Sequence, residues 1–384
     1  MTTQAIARLS AIEALRGVAA VAVILFHTAR HVDTAFGAPQ LLLAFQAGHS
    51  GVDVFFVISG FIILFVHGRD FDRPGRIWHY LGRRCSRVLP LYWVALALTL
   101  AMLAAGRHGL PDAGTIGWQA LLLPTSTSPL LGIAWTLQFE VIFYLVFALL
   151  ILRKRVGLII MAALTLPLAY IAATGEGTSL AGVETDVCGV YGLDFCLGMA
   201  SAHILRLGVL RPDGPASARN LMWLAAFLLL ASVVVENAGL MEGHRVAGRF
   251  AYSIPAALMI AATAAREQEV GLAVPGLLRV CGSASYSIYL FQFVFIGMAW
   301  QMLLLTGLAH RLAPTLIFVV LAGAAVIGGI GMSYWVEKPL LRLIRGGTQG
   351  SAGIYAGWRS YRDRGVARAP EPPGGRARVE QADE

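Results

Sequence analysis

The sequence predicts an all-α polytopic membrane protein, a bundle of about ten transmembrane helices with both termini cytoplasmic. Three observations lead there. Hydrophobic residues make up 57% of the 384-residue chain and charged residues only 14%, against about 25% charged in a soluble domain. The mean hydropathy is +0.68. Apolar runs of the length that crosses a bilayer, about 17–25 residues, recur at roughly 12–33, 51–67, 88–106, 130–151, 157–173, 187–205, 221–237, 250–265, 283–307 and 313–335.

The first run is too long for a signal-peptide core and has no small-residue cleavage site after it, so no cleavable leader is expected. Runs five and eight are the weakest, because Pro167 and Pro255 interrupt them. Orientation follows from Lys and Arg in the short connections. The second holds Arg69, Arg73, Arg76, Arg83, Arg84 and Arg87; the fourth holds Arg153, Lys154 and Arg155; the sixth holds Arg206, Arg211 and Arg219. Odd-numbered connections are poor in basic residues. Every basic connection then falls on the cytoplasmic side, as do both termini. The net charge of +8 is therefore a topology signal and no argument for nucleic acid. Residues 1–345 read as one membrane domain. Residues 346–384, rich in Gly, Arg, Pro and Glu, read as a disordered basic cytoplasmic tail able to touch anionic membrane lipids.

Cysteine chemistry is not expected. Cys85 and Cys281 fall on the reducing side, and Cys188 and Cys196 lie two helical turns apart, too far to pair. No cluster of His, Asp and Glu has metal-ligand spacing, so no metal is expected.

Ionisable residues inside a span are expensive and mark function by default. Arg16 and His27 both lie in the first run, eleven residues apart. That spacing places them on one helix face, about 16 Å apart along the axis. Taken singly, Arg16 either snorkels to the interface or faces a cavity, and His27 is either a core histidine or a titratable group at work. Glu140, inside the fourth run, needs a partner. It either orients His27 or pairs with an arginine. Asp53 and His49 sit four apart at the start of the second run, where they either cap a helix or line a mouth. Glu337 is expected to pair with an arginine. Trp93, Tyr92, Trp135, Tyr334 and Trp335 are read first as interfacial belt residues, with stacking on a sugar or on adenine as the alternative.

Six motifs appear in order. They are Leu15-Arg16-Gly17, with ten residues between Arg16 and His27; the stretch from Gly51 to Phe61 (GVDVFFVISGF); Arg83 to Trp93 (RRCSRVLPLYW); Trp135 to Tyr144 (WTLQFEVIFY); Ser285 to Leu290 (SYSIYL); and Glu337-Lys338-Pro339. Together they resemble membrane acyltransferase family 3, which includes bacterial O-acetyltransferases of O-antigen, exopolysaccharide and Nod factor. The resemblance covers residues 10 to about 345. One departure stands out: many relatives place a histidine where this chain has Gln292, which hydrogen-bonds but does not titrate near neutral pH.

The resemblance implies an O-acyltransferase of the bacterial inner membrane. It implies acyl-CoA, most simply acetyl-CoA, as co-substrate in place of a permanently bound cofactor, and a glycan or lipid-linked glycan as acceptor. Arg16, Arg83, Arg84 and Arg87 would hold the CoA phosphates, because a guanidinium fork bonds two oxygens at once. The arginines of the second connection serve topology in any case. His27 would be the general base that takes the acceptor proton, with Glu140 beside it in the catalytic group. A covalent acyl-enzyme is the rival route. Asp53, Trp135, Tyr289 and Gln292 would line the acceptor side. From a different class, a transporter of a small anion or acyl carrier would use the same basic mouth. Transporters spread ionisable groups over several spans and show repeats, whereas here the charges concentrate in spans one and four and no repeat is visible.

Overall fold

The computed structural model describes residues 9–106, 109–124, 129–174, 179–180, 183–210 and 217–344. All ten apolar runs are helical. They fall in α1 (Ser10–Phe36), α3 (Gly51–His67), α4 (Ile77–Ala105), α6 (Ala134–Leu152), α7 (Lys154–Thr174), α8 (Thr185–Arg206), α9 (Ala218–Asn237), α10 (Val246–Glu269), α11 (Gly276–Leu305) and α12 (Pro314–Met332). Short helices α2 (Pro39–Phe45), α5 (Ala113–Ala120) and α13 (Lys338–Ile344) fill the connections. Among the described residues the only strands are a two-residue antiparallel pair, Ser179–Leu180 with Val183–Glu184. Eight helices, all but α7 and α8 of the ten, are long and apolar enough to cross a membrane by length and composition. The chain is a multi-pass membrane protein. The expected tail, 346–384, lies outside the described residues.

Helix ends follow local chemistry. Ser217 caps α9, accepting from the Asn220 N–H at 3.3 Å, and Gly37 closes α1 in the left-handed conformation (φ 65°) that glycine adopts without strain. The start of α1 has no cap of its own. Glu267, near the end of α10, serves it: its carboxylate accepts from Ser10 Oγ at 2.6 Å and from the Ala11 N–H at 3.1 Å. A carboxylate there also complements the positive end of the helix dipole.

Two sequence expectations change. Arg83, Arg84 and Arg87 are helical, because α4 begins at Ile77, well before the apolar run that starts at about 88. Pro167 and Pro255 do not break α7 and α10. Inside a bundle, neighbouring hydroxyls can take up the backbone groups a proline frees. At Pro255 the freed carbonyl is that of Ala251, and Ser232 Oγ of α9 donates to it at 2.7 Å. Cys85, Cys196 and Cys281 are free thiols.

Small residues set the crossings that matter for the site. A Cβ on Gly17 would stand 2.5 Å from the Gly282 nitrogen, and one on Gly282 would stand 2.4 Å from the Glu13 oxygen. Backbone therefore meets backbone where α1 crosses α11. The two helices run parallel: beyond that crossing His27 packs on Phe293 and His31 on Trp300, with ring centroids 4.9 and 5.1 Å apart. Gly60 and Gly198 make the matching contact between α3 and α8. Gly17→Ala is expected to destabilise the protein by about 1–3 kcal/mol, the usual cost of overpacking, read as a lower thermal midpoint in detergent. An unchanged midpoint would show that the crossing yields.

Candidate active site

An internal cavity opens between five helices. It is lined by Arg16 of α1; Val52, Phe55, Phe56 and Ser59 of α3; Arg87 and Val88 of α4; Thr136, Leu137 and Glu140 of α6; and Tyr286 and Tyr289 of α11. The α3 set follows the i, i+3, i+4, i+7 stripe of one helix face, and Thr136 and Glu140 do the same on α6.

Cross-helix hydrogen bonds hold this wall in place. Tyr286 donates its hydroxyl to the Val88 carbonyl at 2.9 Å, which ties α11 to α4. Thr136 Oγ1 and the Tyr289 hydroxyl are 3.0 Å apart, which ties α6 to α11. Ser59 Oγ donates to Glu140 Oε1 at 3.2 Å, which ties α3 to α6. Glu140 Oε1 also accepts from the Tyr144 hydroxyl. The carboxylate thus keeps two hydroxyl donors and shares the cavity with two guanidinium groups. Of the roles open to Glu140, the geometry favours the arginines, since His27 is not on the cavity wall.

The predicted site residues separate into groups. Arg16, Arg87, Glu140 and Tyr289 meet in the cavity. Arg84 is turned behind it, its guanidinium over the rings of Tyr80 and Tyr144 at 5.7 and 5.5 Å. Arg83 is not on the lining. His27 lies beyond the cavity end on α1. Its half-buried ring packs between Phe26 and Phe293, at centroid distances of 5.0 and 4.9 Å. Phe293 is one turn past Tyr289, whose ring meets Phe55 at 5.2 Å. The imidazole therefore packs on a ring one turn along α11 from the cavity wall, and is not itself on that wall. Gln292 is fully buried, and neither atom of its carboxamide finds a partner. Trp135 is half-buried against Tyr191, 5.5 Å away, and is not on the lining.

Three expectations are corrected by the contacts. Asp53 does not cap α3, whose first turn has no side-chain cap; it is fully buried and accepts from Arg249 Nη1 at 3.1 Å. A buried cation needs a counter-ion more than an exposed helix end needs a cap. His49 is bonded to Glu236 at 3.0 Å instead of capping. Glu337 accepts from Ser287 Oγ at 2.6 Å and Ser333 Oγ at 2.9 Å, where an arginine was expected. The π-helical turn Ser333–Glu337 swings the carboxylate back onto α11. Ser59, Thr136, Tyr144 and Tyr286 were not singled out from sequence, although each lies inside one of the motifs or, for Tyr144, ends one. Nothing local to the sequence signals Arg249.

Comparison with known proteins identifies the family. The acyltransferase domain family matches residues 9–334. The chain is 30% identical over 313 residues to the exopolysaccharide production protein ExoZ of Rhizobium meliloti (strain 1021), covering 78% of this chain and 91% of the relative. It is 27% identical over 406 aligned positions to the acyltransferase MdmB of Streptomyces mycarofaciens, covering 96% of each. No solved structure matches the chain. These matches displace the transporter alternative. With Arg16, Arg87 and Glu140 converging on one cavity between the apolar helices, and a family match spanning all the helices that build it, the chain belongs to the acyltransferase domain family and is a multi-pass membrane acyltransferase.

Proposed function

We propose that the protein moves an acyl group, most simply acetyl, from cytoplasmic acyl-CoA to a hydroxyl of a cell-surface polysaccharide or lipid-linked glycan. In this reading it crosses the bacterial inner membrane ten times, with both termini in the cytoplasm. The observation that carries the proposal is the meeting of Arg16 and Arg87 in one intramembrane cavity. Two guanidinium forks facing a single carboxylate leave a positive excess, which suits a polyanionic donor. Parallel packing of α1 with α11, and of α3 with α8, is what alternating passes require. The printed role of ExoZ in exopolysaccharide production supports the choice of acceptor.

The chemistry is a direct transfer. The CoA phosphates lie at Arg16 and Arg87 while the slim pantetheine arm extends along α1. The neutral imidazole of His27 takes the proton of the acceptor hydroxyl as its oxygen attacks the thioester carbonyl carbon. The C–S bond then breaks, and the imidazolium returns the proton to the thiolate, leaving CoA-SH and an ester. Glu140 balances the two arginines and keeps them apart.

Mass spectrometry of surface polysaccharide from strains with and without the gene tests this. The expected result is the loss of one acyl mass per modified unit in the strain lacking the gene. Identical glycan spectra would remove the polysaccharide as acceptor.

A further inference from the structure

A second polar centre lies behind the cavity wall, where α3, α8 and α10 meet. Asp53 of α3 and Asp194 of α8 are both fully buried, and their carboxyl groups lie within hydrogen-bonding reach of each other. Arg249 of α10 donates to Asp53 Oδ1 at 3.1 Å, and its guanidinium lies over the ring of Tyr191, 4.7 Å away. It also bonds the Tyr191 hydroxyl. Tyr191 stacks on Phe56, a cavity residue, with centroids 4.6 Å apart.

The donors do not balance the acceptors. Among the described residues, none donates to Asp53 Oδ2 or to either oxygen of Asp194. Ser253, within reach of Asp194, donates to the Arg249 carbonyl at 3.1 Å. Among the described residues, the other charged and titratable groups nearby are committed elsewhere or are neutral. Glu236 of α9 is held by His49, Gln46 and Tyr252, His244 stacks on His49, and Cys196 is a free thiol. Among the described residues, Arg249 is then the one cation that serves this pair of carboxylates, and it bonds Asp53 alone. With both ionised, the cluster carries an uncompensated buried negative charge, with two carboxylates side by side and no hydrogen between them. Either condition is costly, and like charges in contact do not both ionise.

We propose that Asp53 and Asp194 share a single bound proton, and that this buried proton site braces α8 and α10 against the back of α3, whose other face lines the cavity. One proton resolves both faults. Because Arg249 fixes the negative charge on Asp53, the hydrogen resides on Asp194 and is donated to Asp53 Oδ2. The cluster becomes neutral, and Asp53 has a donor on each oxygen. As in any coupled pair, the proton belongs to the two groups together.

Infrared spectroscopy of the purified full-length protein at neutral pH tests the assignment without reference to acyl transfer. The expected result is a protonated-carboxyl carbonyl band that moves in heavy water and is lost in Asp194→Asn. The carboxamide of that variant supplies an N–H in place of the O–H, so its thermal midpoint stays at the wild-type value and its acyl transfer is retained. Asp53→Asn, which strips Arg249 of its anion, is expected to lower the midpoint clearly. Identical carbonyl regions in wild type and Asp194→Asn would overturn the proposal. So would a midpoint in Asp194→Asn as low as in Asp53→Asn. A third arm needs only wild-type protein: a midpoint that rises in sodium chloride over choline chloride would mean that a metal cation holds the pair, which also overturns it.

Discussion

Replacing His27 with alanine is expected to lower acyl transfer by about 10²–10⁴-fold, the usual contribution of a positioned general base, while the protein still inserts and folds. The size of the effect follows from the reaction. An alcohol attacks a thioester slowly until its proton is taken in the transition state, and of the two imidazoles on this side of α1, His27 and His31, His27 is the nearer to Arg16 along the helix. The preservation of the fold follows from the contacts. No hydrogen bond joins His27 to any described residue, and its ring touches Phe26 and Phe293 by packing alone. Acyl incorporation from labelled acetyl-CoA into extracted glycan measures the rate, and the thermal midpoint in detergent checks the fold. Wild-type transfer by a folded His27→Ala protein would remove the imidazole from the chemistry and leave the covalent route as the better reading.

The second large effect is expected at Arg16. Arg16→Ala should weaken acyl-CoA binding by roughly 10–100-fold, because a hydrogen bond to a charged group contributes about 1.5–3 kcal/mol and about 1.4 kcal/mol is tenfold in affinity. Arg16→Lys should recover only part of the loss, since an ammonium offers a point charge where the guanidinium offers a fork. The surrounding structure tolerates the change. Glu140 keeps its Ser59 and Tyr144 donors, Arg87 remains on the same wall, and the Gly17–Gly282 contact is made by backbone. Calorimetry of CoA binding at low salt reads the change. An affinity equal to wild type would place the phosphates elsewhere.

Residues at the site differ in how visible they were in the sequence. Arg16 and Glu140 were legible because an ionisable side chain in an apolar run has few innocent explanations. Tyr289 was legible through its motif. Asp53 was ambiguous: an acid in the first turn of a helix has the same sequence signature whether it caps that helix or pairs with an arginine 196 positions away. Arg84 and Arg87 look equivalent in a basic stretch, and only their phase on α4 decides that one faces Tyr80 and Tyr144 while the other faces the cavity. The three arginines were read as a connection because hydropathy marks the edge of the apolar run, whereas the helix continues past it. The inward turn of Glu337 depends on a π-helical turn that no local pattern announces.

From the sequence alone came the apolar helices, their membrane setting and the short roster of charged groups that would have to be accommodated among them. Hydropathy and helical period are properties of a few consecutive turns, so one strand of text suffices to read them. Only the tertiary structure decided which of those groups share a cavity, which lie behind it, and that His27 is not on the wall that carries Arg16. Rotation and depth of each helix depend on neighbours far along the chain, and they are set where backbones touch, at Gly17 with Gly282 and at Gly60 and Gly198 with the helices they cross.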